Sequence, residues 1–164
     1  MSELKKMHGI QFVIAFFLIS ALAGCEAQQQ EQEVLSVVND GIALLQSKDV
    51  GKSMRLTTRD FLAQPGKYTR LTASRKLLSL FRGTGDIEIL HPDPDVEVQD
   101  SGDSALVSMP FVIARGGVSV KKLAALEGDT AAWAAAASDY TTVHNVEISL
   151  VKQDGRWLIR TVRF

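Results

Sequence analysis

The stretch TVHNVEISLVKQDGRWLIRTVRF, residues 142–164, decides how this chain folds. Thr142 to Lys152 alternates, with Val146, Ile148 and Leu150 on one side, as a strand with one buried face requires. Asp154-Gly155 then supplies the residue types of a tight antiparallel hairpin turn. Trp157 to Phe164 reads as the closing strand. The C-terminus is therefore a hairpin, and the rest of the chain has to cover its apolar face.

Upstream of it, Ala105 to Ala114 is a long apolar strand, with Pro110 expected at an edge or bulge. Val96 to Gln99 alternates and leads into Asp100-Ser101-Gly102-Asp103, a turn composition. Ile87 to Leu90 is a further strand, ending at His91-Pro92. Lys121 to Tyr140 reads as an inserted helix or helical pair, alanine-rich, carrying Trp133 and capped by Asp129 or Thr130. The leading segments are helical. Val34, Leu35, Val38, Gly41, Ile42 and Leu45 recur with the spacing of one buried helix face. That helix should run from about residue 31 to about 47. A short helical or irregular piece follows around Ser53 to Leu56, and Gln64-Pro65-Gly66 marks a turn. Thr72 to Phe81 forms another helix. Its apolar stripe is Ala73, Leu77, Leu80 and Phe81, with Arg75, Ser79 and Arg82 opposite and Gly83 ending it.

The order is α+β: N-terminal helices packed on one curved antiparallel sheet, with a helical insertion near 121–140. The two leading helices, the Val96–Gln99 to Ala105–Ala114 hairpin and the final DGRWLIRTVRF hairpin resemble the nuclear transport factor 2-like, or SnoaL-like, cystatin-like superfamily. The resemblance covers about residues 31–164, and the 121–140 insertion departs from the minimal pattern. It implies a cone enclosed by helices and sheet. Members include ketosteroid isomerase-like enzymes and many non-catalytic binding or dimerising modules, so the fold alone does not choose an activity.

Four residues could furnish such a cone. His144 shares parity with Val146, Ile148 and Leu150 and points to their face, where it could act as a general base. The plainer reading is a rim histidine making one structural hydrogen bond. Tyr68 and Tyr140 could donate to an oxyanion, or simply edge the core. Asp60, next to Phe61, could be a buried base; the plainer role is a surface cap or the partner of an arginine. No catalytic motif of the family maps onto these positions residue by residue.

The N-terminus carries a separate signal. Lys5 and Lys6 precede an apolar run from Ile10 to Ala23, too short to span a bilayer comfortably, which needs ~20 residues, so it reads as a signal peptide rather than the alternative, an uncleaved membrane anchor. Leu22-Ala23-Gly24-Cys25 closes it and resembles the lipobox of bacterial lipoproteins. That resemblance implies cleavage before Cys25, a diacylglyceryl group on its sulfur, and an anchored envelope protein. Residues 1–24 are then a signal peptide, 25–33 the lipidated cysteine and a polar tether or helix start, and 34–164 one domain. Two or more acyl chains make a stable anchor where one does not. With Glu26 after the cysteine, the resemblance favours the outer membrane, facing the periplasm, over the inner one.

Without residues 1–24 the chain has 140 residues and a net charge of −2, because Lys5, Lys6 and Glu3 leave with the leader. That gives no global attraction to nucleic acid. Cys25 is the only cysteine, so the domain has neither disulfide nor thiol chemistry. No cofactor is implied. Metal is not either: His91, Asp93 and Asp95, with Asp100 and Asp103, lack the spacing of a calcium loop. Charge is segregated along the chain. Residues 52–82 hold Lys52, Arg55, Arg59, Lys67, Arg70, Arg75, Lys76 and Arg82 against Asp60 alone, a net of +7. Residues 86–103 hold seven acids and no Lys or Arg. The blocks either face each other, solvate separate faces, or offer a basic surface to anionic lipid or an acidic protein. Two functions follow. One is a non-catalytic envelope lipoprotein binding a small apolar ligand or an envelope protein, with a homodimer through the sheet as one form. The other is a SnoaL-like small lyase or isomerase using His144 or Asp60 as base.

Overall fold

A computed structural model describes residues 27–115, 129–139 and 141–164. Among the described residues helix α1 covers 27–46, so the polar segment after Glu26 is helical. The short helix α2, Val50–Arg55, is capped by Asp49, whose carboxylate accepts from the Lys52 backbone N–H at 2.9 Å. Strand β1, Thr57–Gln64, turns through a cis Gln64–Pro65 bond into β2, Tyr68–Thr69, and α3 follows at Arg70–Phe81. Then come β3, Ile87–Leu90; β4, Asp95–Val98; β5, Ser104–Arg115; helix α4, Thr130–Ser138; β6, His144–Gln153; and β7, Arg156–Arg163.

The strands form one seven-stranded sheet in the order β2-β1-β7-β6-β5-β3, with β4 also on β5. The C-terminal hairpin is as the sequence predicts. Ile148 pairs with Val162 and Gln153 with Arg156. Asp154 and Gly155 take the positive φ values, 51° and 75°, that the turn demands. One expectation is corrected. The sheet is mixed rather than antiparallel, because β1 pairs parallel with β7, Leu62 opposite Thr161. β1 escapes a periodicity reading because its burial does not alternate: Thr57 and Thr58 are both buried and Arg59 and Asp60 both exposed.

β3 and β4 are two pieces of one edge. β4 pairs with Ala105–Ser108 and β3 with Val112–Arg115 of the same strand. Between them run residues 91–94, with Pro92 and Pro94. Pro110 stands level with that break, where its missing N–H interrupts no ladder on that side.

The main core lies between the helices and the sheet. Val34 and Val38 of α1 and Ala73 of α3 meet Phe61, Ala105, Val107, Met109, Phe111, Val146, Ile148, Leu150, Trp157 and Ile159. A smaller core lies on the opposite sheet face, where α4 sets Trp133 and Ala137 against Val112. Asp129 caps α4, accepting from the N–H groups of Ala131 and Ala132 at 3.0 Å each. The predicted stripe of α3 needs one correction. Ala73 is buried and Leu77 and Phe81 are half-buried, but Leu80 is 55% exposed. It lies past the narrow strip that meets the sheet.

Candidate functional site

At the end of the sheet where β6 begins, the rings of Phe111, His144 and Phe164 come together. Phe111 of β5 is paired across the ladder with His144, and their rings lie 5.5 Å apart, tilted by 34°. Phe164, just past β7, brings its ring to 6.1 Å from Phe111 at 60°. Such tilted arrangements are the favoured ones for aromatic pairs. Phe111 is buried as the floor of the core, whereas Phe164 is 64% exposed and His144 is exposed. Ile113, further along β5, is 44% exposed. The result is an apolar, aromatic rim with one imidazole that can donate or accept a hydrogen bond.

Thirteen buried apolar side chains, from Val34 to Ile159, pack together between the helices and the sheet. His144 does share the face of Val146, Ile148 and Leu150, as its parity requires, but its place at the strand's first residue leaves it in water. Phe111 and Phe164 do not stand out in the sequence. The signal that could have found them is the register of β5 against β6, which puts Phe111 opposite His144.

The other candidates do not join this rim. Asp60 lies on β1, where Arg160 Nη2 approaches its carboxylate at 3.1 Å. Both side chains are more than half exposed. The Asp60 carboxyl is held below the ordinary range by the nearby Thr58 hydroxyl first, and by its own backbone N–H and Arg160 after it. The Thr58 hydroxyl is buried and has no hydrogen-bond partner within ordinary distance and angle. A lowered, solvated carboxyl is a weaker base than an ordinary one. Tyr68 is 38% exposed on β2, and its ring covers Gly66, where a Cβ would collide with it. Tyr140, and Leu22, Ala23, Gly24 and Cys25, lie outside the described residues.

The charge blocks occupy opposite edges of the sheet. The basic residues fall on α2, β1, the β1–β2 turn and α3, and the acids on β3, β4 and their loops. No ion pair joins the two blocks among the described residues, where Lys52 pairs with Asp49, Lys152 with Glu33, Arg160 with Asp60 and Arg163 with Glu147. An open groove of about 590 Å³ on the other sheet face is lined by Asp93, Asp95, Ser108, Asn145 and Glu147, among others. Among the described residues, no three His, Cys, Asp or Glu side chains gather as a metal site would need, and no helix is long and apolar enough to cross a membrane.

No protein-family model and no curated protein matches the chain. Solved structures do. An NTF2-like protein of unknown function from Pseudomonas putida KT2440 is similar with a TM-score of 0.61 at 12% identity, covering 83% of this chain and 85% of its own. An NTF2-like protein with a cystatin-like fold from Novosphingobium aromaticivorans gives 0.61 at 12%, covering 89% and 87%. A protein of the same organism, provisionally named scytalone dehydratase, gives 0.60 at 10%, covering 85% of each. At these identities the likeness is one of fold: the chain has the NTF2-like, cystatin-like α+β architecture.

Proposed function

We propose that this chain is a lipid-anchored envelope lipoprotein whose NTF2-like domain is a non-catalytic binding module, working through the rim formed by Phe111, His144 and Phe164. The observation that carries the reading is the solvated position of both candidate bases. An enzyme of this shape needs a polar, water-excluding cavity with a base of tuned pKa inside it. Here His144 is exposed at the rim and Asp60 is a solvated ion pair on β1. An exposed aromatic ring beside a buried one is instead the chemistry of a contact surface.

The Leu22-Ala23-Gly24-Cys25 tetrad supports the anchor. Residues 27–46 are helical, so an acylated Cys25 would lie within two residues of folded structure. The domain would then sit directly on the bilayer rather than on a long tether, outer-membrane by the Glu26 reading.

The test is capture from a detergent-solubilised envelope with the protein beginning at Glu26. A specific partner or an apolar ligand should be retained by the wild type and lost with Phe164→Ala and His144→Ala. Retention that is indifferent to both variants refutes the rim as the site. A lyase or isomerase activity abolished by His144→Ala would restore the enzyme reading.

A further inference from the structure

Helix α3 turns one side to the core and leaves an unusual outer side. Leu71 and Leu78 are 60% and 49% exposed. Leu71, Arg75, Leu78 and Arg82 follow the four- and three-residue steps of one line along a helix and its cap. Thr72, Lys76 and Ser79 beside that line are exposed as well. The helix contains no acidic residue, and Lys67 and Arg70 stand at its start. None of these cations enters a salt bridge among the described residues. The protein's own acidic edge lies across the sheet and cannot neutralise them.

Single exposed leucines need no explanation. Exposed leucines flanked by arginines unpaired among the described residues, on a helix with only positive charge, offer an anionic bilayer both an apolar foothold and cations that it attracts. A protein-docking patch would instead gather its apolar groups into a continuous centre with charge at the rim. We propose that the outer line of α3 seats on an anionic bilayer surface, Leu71 and Leu78 entering the boundary between headgroups and acyl chains while Arg75 and Arg82 pair with lipid phosphates. The contact needs no acyl chain and therefore stands apart from the lipoprotein reading. It fits that reading geometrically, since α1 and α3 cover the same face of the sheet. The helix layer would lie towards the membrane and the acidic strands away from it.

The protein beginning at Glu26 contains every residue of the described core, of which Val34 is the first, and serves as test material. It is sedimented with vesicles of phosphatidylcholine alone or with added phosphatidylglycerol. Binding should appear only with phosphatidylglycerol and fade as salt rises. Arg75→Glu with Arg82→Glu should weaken it by more than about tenfold. Leu71→Ser with Leu78→Ser should weaken it at unchanged net charge, and Arg156→Glu, on the distant hairpin turn, should not. No binding to phosphatidylglycerol vesicles overturns the proposal. So does equal weakening by Arg156→Glu, or indifference to the leucine changes, because either leaves only diffuse charge attraction. Self-association lost on the Arg75→Glu/Arg82→Glu change, without vesicle binding, overturns it in favour of contact with the acidic edge of a second copy.

Discussion

The indole N–H of Trp157 donates to the Glu33 carboxylate at 3.2 Å, joining the first turns of α1 to the start of the last strand. Lys152 donates to the same oxygen at 3.1 Å and lies over the Trp157 ring at 5.5 Å. One carboxylate thus fastens the N-terminal helix to the C-terminal hairpin. The Lys152 hydrogen bond is the first cause holding the Glu33 carboxyl below its ordinary range, and Trp157 and Gln29 add smaller pulls in that direction.

A depressed carboxyl stabilises the fold above the ordinary carboxylate range and stops doing so as pH falls through its lowered value. Glu33→Gln should therefore melt earlier than wild type at neutral pH. The two should converge in acid. Thermal melts across pH check this, and a constant difference at all pH values would show that charge at Glu33 contributes nothing.

Trp133 is 2% exposed and makes the second core with Val112 and Ala137. Trp133→Ala should cost about 3 kcal/mol or more by urea denaturation. A cost below about 1 kcal/mol would mean that α4 is not packed on the sheet as described.

Leu80 is exposed although it falls in the apolar stripe read from the sequence. Leu80→Ser should change stability by no more than about 0.5 kcal/mol. Leu77→Ser, on the half-buried strip, should cost clearly more in the same assay.

Gly155 has φ +75° in the hairpin turn. Gly155→Ala should cost about 1 kcal/mol, since a Cβ is disfavoured in that region. No atom lies near enough to clash, so the cost is conformational and should appear without any change in the fold by circular dichroism.

The C-terminal hairpin was readable because two signals coincide there, strict alternation and an Asp-Gly turn. The end of α3 before Gly83, with φ +79°, is readable for the same kind of local reason, and the cap of α4 is readable to Asp129 or Thr130, of which the structure uses Asp129. β1 was not, since its pairing with β7 is parallel and distant, and consecutive buried threonines hide its period. Leu80 could not be placed because helix periodicity identifies a face but not how wide a strip the sheet covers. His144 has the parity of the core face, yet only the strand's end at that residue reveals that the face is wet there. The aromatic rim required cross-strand register, a relation between Phe111 and residues 33 and more positions away.

Anchoring through Cys25 is the central claim about where the protein works. Intact mass spectrometry of the membrane fraction tests it most directly. The wild type should begin at Cys25, carry a diacylglyceryl group on that residue and lack residues 1–24, while Cys25→Ser should persist as full-length precursor without lipid. A Cys25→Ser protein processed and membrane-bound like the wild type would contradict the account.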